Sequence, residues 1–540
     1  MSKCMIIATH IAGTGCNLMA SGMGESFRDI SAKEVVESLR RGETLSGFRI
    51  DGPLVLEGDF PFSIRIENSL VEEIRAEGCV FEKNLSLCGL SGASLKSVSL
   101  DHALIKGMLE WINVEVDGPV SMVGVEIDGE CKMDGLNLKY VEFRDAKLKG
   151  RASFSHTHFE EFVDFSRVEL DGQIDLGNAS FSQGADFSEA KFQRSARMEM
   201  ATFERTVYFN KAEFLGTADF DGCSFREHAD FRHARLAGHV EFSGANSHMG
   251  IHFNYARFEK WCDFSNSIFQ RFDGPGVQVD GEFRFQHVTV GETTNLEGIT
   301  VNGTADFSGV SMAGDARFNG GRFNEAKFSA AQFKGKVNFT GSVFKGPVDF
   351  RDAKFGKAIC LRASFPMGAT INWQQVEGCV HHCQKNAHPE ARDEYGQLKV
   401  IFERNNDYDS MDRAYEMFRH HENLSARRNP CSRFFNTWIL RHCAGYGTRP
   451  GRLFVFSMGI IVVFAGIYAV FGEQIQSRPD GGFAPGFYLY FSLMTFITAG
   501  VEGIQPDYDG WLIALVALET FLGILLMTMF AVMLARKLIR

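Results

Sequence analysis

The sequence predicts a multidomain chain: a β-solenoid over most of its length, an α-helical hairpin junction, and an all-α unit of two apolar spans around a shorter re-entrant helix. Three observations predict it. Phe recurs on an eleven-residue count from Phe143 onward, that count ends at Phe365, and two long, nearly uncharged stretches crowd into the last 90 residues. The boundaries follow as 1–50 for a leader and capping helix, 51–366 for the solenoid, 367–450 for the hairpin linker and 451–540 for the two-span unit.

Composition bounds the function. The chain has 540 residues, 45% of them hydrophobic, and a formal charge of -11. That is neither collagen-like nor disordered. The acidic balance argues against a nucleic-acid partner, which needs phosphate-neutralising Lys and Arg. No grouping of nucleophile, base and acid stands along the solenoid, so an enzyme is not expected. The twelve cysteines are scattered singly and read as reduced thiols in a cytoplasmic compartment.

Residues 1–21 carry one Lys and a short apolar run broken by His10, which makes a poor signal peptide; they read as a leader. Residues 31–41 read as an amphipathic helix with Val35, Val36 and Leu39 on one face. Such a helix is suited to cap the open end of a solenoid, which otherwise presents an unpaired edge.

The repeat has two phases. One carries Phe143, Phe154, Phe165, Leu176, Phe187 and Met198; the other carries Leu148, Phe159, Leu170, Phe181, Phe192 and Phe203. Small residues such as Ala146, Ala179 and Ala190 stand two before the second phase. Ser247 interrupts that phase once, and the count slips around residues 272–279. An eleven-residue period also suits a right-handed coiled coil, but Phe and Gly are poor choices for a long exposed helix. The pattern therefore reads as short β-like sides with a turn every five or six residues. Each Phe points inward onto its equivalent in the next coil, so many coils are needed. About twelve or thirteen coils of about 22 residues, at ~4.8 Å each, give a rod roughly 60 Å long.

Units such as Ala185-Asp186-Phe187-Ser188-Glu189-Ala190-Lys191-Phe192 resemble the pentapeptide-repeat family. The resemblance implies a right-handed quadrilateral β-helix. It spans about residues 54–365, is degenerate before Phe143, and departs from the family in counting by eleven rather than by a multiple of five. The rod then reads as a docking surface or sensor for a protein or ligand partner, or as a spacer.

Beyond Phe365, residues 389–403 and 410–425 read as two helices, with Tyr395, Leu398 and Phe402 on one stripe and Met411, Ala414, Tyr415 and Phe418 on the other. This hairpin is expected to couple the rod to the membrane. Just before it stand Cys379 and Cys383, with His388 five residues on. Two thiolates and an imidazole suit zinc; the alternative is a reduced, partly buried turn.

Residues 453–472 contain no charge, and residues 511–535 contain one, Glu519. Both are long enough to span a bilayer as helices, whereas the apolar piece at 485–498 is too short and suits a re-entrant helix. Arg427, Arg428, Arg433, Arg441, Arg449 and Arg452 precede the first span, and Arg536, Lys537 and Arg540 follow the second. The loop between has one Arg against five acids. The bias puts both termini and the rod on the cytoplasmic side of an inner membrane.

The run Ser492-Leu493-Met494-Thr495-Phe496-Ile497-Thr498-Ala499-Gly500-Val501-Glu502-Gly503-Ile504-Gln505-Pro506 resembles the pore of the potassium-channel superfamily. The resemblance implies a homotetramer in the bilayer. It makes Ser492 and Thr495 part of a pore helix, Thr498, Ala499, Gly500, Val501, Glu502 and Gly503 a selectivity filter, and Gly523 an inner-helix hinge. Permeating monovalent or divalent cations are then the ligands, and no cofactor is otherwise called for. Gly500 would supply the left-handed backbone. Val501, Glu502 and Gly503 depart from the family's Tyr-Gly-Asp. A ring of Glu502 carboxylates favours cations, divalents included, so a nonselective or Ca-permeable pore is expected. A K-selective channel and a non-conducting, membrane-tethered scaffold are the alternatives. Glu519 either hydrogen-bonds the pore helix or lines the pore. Gly445-Tyr446-Gly447 repeats a filter tripeptide, but its place before the first span makes it a loop.

Overall fold

A computed structural model describes residues 27–90, 95–426, 435–471, 485–500 and 511–539. From Arg28 to Thr370 the chain is a β-solenoid of about fifteen coils. Most coils bridge to the next at four two-residue sides, and in a few, such as Phe48–Val55 and Thr300–Asp306, two sides merge into one longer strand. In one coil the four sides are His158–Phe159, Val163–Asp164, Glu169–Leu170 and Ile174–Asp175, each paired in parallel 22 residues further on, as Phe159 is with Phe181. The sides join into two parallel sheets of 26 and 28 strands. The coils outnumber the twelve or thirteen expected because the early ones abandon Phe but not the architecture: Ile50, Leu54, Ile64, Ile66, Val71 and Ile74 fill the same interior.

The interior is a set of aromatic columns. Phe143, Phe165, Phe187 and Phe209 stack with centroids 4.9–5.0 Å apart and planes within 6°. That separation matches the spacing of neighbouring strands, so each ring finds its partner without distorting the backbone. Alanines 146, 179 and 190 are buried where the wall leaves no room for more. The Asp preceding the inward Phe shapes the corner that follows. Asp164 and Asp186 accept hydrogen bonds from the N–H of Ser166 and Ser188, at 2.8 and 2.7 Å. This Asx geometry fixes the turn. The slip near residue 272 is one shorter coil, in which Ile251 pairs with Phe272 and Phe258 with Val279, 21 residues apart.

Each end is closed differently. Helix α1 (Ala32–Arg40) begins in a capping box between Ser31 and Glu34 and buries Val35 and Leu39 in the first coils. At the other end come two short helices, α2 (Trp373–Val376) and α3 (His381–Gln384), then the hairpin of α4 (His388–Arg404) and α5 (Tyr408–Ser425). Helix α4 satisfies the last coils' free backbone with side chains. Glu394 accepts from the Leu361 N–H at 3.2 Å and Gln397 from the Ala363 N–H at 3.3 Å, while Asn405 donates to the Ala369 carbonyl at 2.7 Å. An exposed sheet edge invites pairing with another chain, and these bonds remove that option.

A π-helical segment (Phe435–Cys443) and a single 3-10 turn at Gly445–Gly447 lead into α6 (Pro450–Val470), α7 (Pro485–Phe496) and α8 (Leu512–Leu538). Helices α6 and α8 are long and apolar enough to cross a membrane. Gly445-Tyr446-Gly447 lies in the turn before α6.

Candidate functional site

The three apolar helices meet at one buried polar knot. Glu519 of α8 is wholly buried. Its Oε2 accepts from the Tyr468 hydroxyl of α6 at 2.6 Å, and its Oε1 accepts from the Ser492 hydroxyl of α7. Ser492 Oγ also stands 2.9 Å from the Ile461 carbonyl of α6. One carboxylate thus ties all three helices, in surroundings where an unmatched polar group is costly. Packing follows the same lines: Tyr468 meets Phe491 edge-on at 5.1 Å, within a cluster that includes Phe464, Tyr488 and Leu512.

Gly523, one turn beyond Glu519, packs against the last residue of α7. A Cβ there would lie 1.9 Å from the Phe496 carbonyl oxygen. The structure therefore gives Gly523 a packing role, the seating of the C-terminus of α7.

That terminus is closed by the residues that follow it. Thr498 is left-handed, at φ 63°, and its N–H donates to the Thr495 carbonyl at 3.1 Å. The Ala499 and Gly500 N–H groups both donate to the Met494 carbonyl, at 2.9 and 3.2 Å. This is a Schellman closure with Thr where Gly is usual. Gly500, at φ 66°, is left-handed as expected; Thr498 is an unexpected second. Thr498, Ala499 and Gly500 are exposed, and Thr495 is buried. Val501, Glu502 and Gly503 lie outside the described residues.

The sequence triad for zinc does not assemble. Cys379 donates its thiol to the Phe355 carbonyl at 3.2 Å, and burial raises its pKa. Cys383 lies against the Tyr395 phenol. His388 pairs through Nδ1 with His421 Nδ1 of α5, at 3.1 Å. Neighbours in sequence are turned to three different partners here. Among the described residues, the groups of three whose ligating atoms lie within 4.8 Å of one another are Cys360, His382 and Glu394, and Asp219, Asp221 and Glu241. Among the described residues no disulfide forms.

The coils between residues 176 and 268, and again between 328 and 365, match the family described as Pentapeptide repeats (9 copies). Those coils of the solenoid are pentapeptide repeats. Searches of curated proteins and of solved structures found no match.

The hairpin links this pentapeptide-repeat solenoid to the apolar helices. Glu416 of α5 is buried and pairs with Arg449 at 2.9 Å and Arg452 at 3.7 Å, at the start of α6. Asp412 reaches Arg536 at 3.8 Å, at the end of α8, and the Arg536 guanidinium lies over the Tyr415 ring. One helix therefore holds both apolar helices by their basic ends. Its own packing is histidine-rich. His421 stacks on Tyr395, and Arg441 approaches His420 Nε2 at 2.8 Å. Burial pushes both His420 and His421 down to about 4, helped at His420 by the Arg441 charge and at His421 by His388 and then Arg441. Both rings are neutral at neutral pH.

Proposed function

We propose that the chain is a cation channel, assembled as a homotetramer, with its pentapeptide-repeat rod on the cytoplasmic side of an inner membrane. The observation that carries this reading is α7: a twelve-residue apolar helix held against two helices long enough to span, and running straight into Thr498-Ala499-Gly500. Four copies of that segment would surround an axis with backbone carbonyls, which replace an ion's water, and the C-terminal dipoles of α7 favour a cation. On this reading Ser492 and Thr495 belong to the pore helix, and Glu519 and Tyr468 brace it. The basic flanks set the orientation, and the family resemblance supports a right-handed coil. No catalytic role is assigned.

Glu502 in place of the family's second Gly supports a nonselective or Ca-permeable pore. The test is recording from the purified full chain in planar bilayers under K, Na and Ca gradients, for wild type and Glu502→Gln. We expect a reversal potential near zero between K and Na, and a lower conductance in the variant. A reversal at the K potential would establish the K-selective alternative. Absence of current, together with a monomer in solution, would leave the membrane-tethered scaffold.

The ion pairs of α5 support gating through the rod, since a movement of the hairpin pulls on α6 and α8 together. An open probability unchanged by deletion of residues 1–365 would remove that part of the reading.

A further inference from the structure

We propose that Cys360, His382 and Glu394 bind a divalent transition-metal ion of the zinc class, which clamps the last coils of the solenoid to the helical hairpin. The three residues come from three elements: Cys360 ends the strand Ala358–Cys360, His382 lies in α3 and Glu394 in the second turn of α4. Their ligating atoms lie within 4.8 Å of one another. His382 Nδ1 and Glu394 Oε1 are 3.0 Å apart. Two ligands at zinc's N and O bond lengths, in tetrahedral array, leave about 3.3 Å between them, so this pair is already set for a shared ion.

The independent observation is an unsatisfied oxygen. Glu394 is wholly buried, and its Oε1 serves both His382 and the Leu361 N–H. Its Oε2 is buried without a hydrogen-bond partner. A buried carboxylate oxygen left in that state is costly, and a cation beside it removes the cost. The donor set is also apt. Thiolate, imidazole and carboxylate suit zinc, carry two negative charges between them, and leave a fourth position for water. Lys336 stands just outside. Its ammonium contacts the Cys360 thiol and lies 3.0 Å from His381 Nε2. It competes for the thiolate when the ion is absent and donates to it when the ion is bound.

The test uses the detergent-purified full chain, stripped with a chelator and titrated with Co2+. We expect a single cobalt ion per chain and a thiolate-to-cobalt absorption band in the near ultraviolet. Cys360→Ser should abolish the band. Because Cys360 is buried and its variant is at risk of misfolding, His382→Asn at a partly exposed position gives a second reading: cobalt affinity should fall by at least about tenfold. Cys379→Ser and His388→Ala should keep both band and affinity. A chain that takes up no cobalt, a band that survives Cys360→Ser, or an affinity unmoved by His382→Asn overturns the proposal.

Discussion

Ser247 sits inside the solenoid between Phe225 of one neighbouring coil and Phe269 of the other, and its buried hydroxyl has no hydrogen-bond partner. Removing an unsatisfied hydroxyl relieves a desolvation penalty, so Ser247→Ala should stabilise the chain by about 1 kcal/mol. A thermal midpoint that fell instead would mean that the hydroxyl has a buried partner such as water. A second residue-scale rule concerns corners. Asp145, His156, Arg167, Asn178, Glu189 and Met200 are all left-handed, at intervals of eleven, and Gly244 occupies an equivalent place at φ 68° with open space where a Cβ would go. Gly244→Ala should therefore cost about 1 kcal/mol through backbone strain alone, and Gly244→Asn less. Equal melting of the two variants would count against that account. The inward Phe column was legible in the sequence because burial selects one residue type. The left-handed corner was not, because its occupants share no chemistry and only the occasional Gly betrays the position.

At the scale of elements, the seating of α7 leaves no room for a side chain. Gly523→Ala places a methyl against the Phe496 carbonyl, and backbone cannot swing aside as a side chain can. The expected loss is at least about 3 kcal/mol, read as a lower thermal midpoint in detergent. Gly466→Ala in α6, where nothing lies within 4 Å, should not lower the midpoint and should raise it slightly, since Ala is the better helix former. The hairpin makes a pH prediction. His420 and His421 are held near 4 in the fold, against an ordinary value near 6.5. The fold thus binds fewer protons than the unfolded chain, so the stability they carry is complete above about pH 6.5 and is lost as pH falls toward 4. Amide protection factors in α4 and α5 should fall across that window, and His420→Gln with His421→Gln should flatten the response. The hairpin's helices were legible from their apolar stripes, and the structure puts them within two residues of the expected limits. Their histidine contacts were not, since they join residues more than twenty apart. The loose cysteine pair is the converse case: Cys379 and Cys383 are close along the chain, yet each faces a different partner.

For the whole molecule, the decisive connection is α5, which bridges the solenoid's closing helix and the basic ends of α6 and α8. Glu416→Gln removes the buried charge that faces Arg449 and Arg452. On the proposed channel reading, gating of this variant in bilayer recordings should approach that of the chain lacking residues 1–365, and the double variant with Arg449→Gln should show coupling of about 1–2 kcal/mol. Additive effects of the two substitutions would place the link elsewhere.

The 22-residue register has a consequence for length. Excising residues 181–202 brings Phe203 onto Phe159, the neighbour that Phe181 had, with every wall still in phase. The tip and the hairpin would not sense the cut, yet the tip would stand one strand spacing, ~4.8 Å, nearer the apolar helices. The rod is in that sense a ruler graduated in coils. Its reach is set by the number of coils, and the 21-residue coil near residue 272 shows that one missing residue leaves the walls paired.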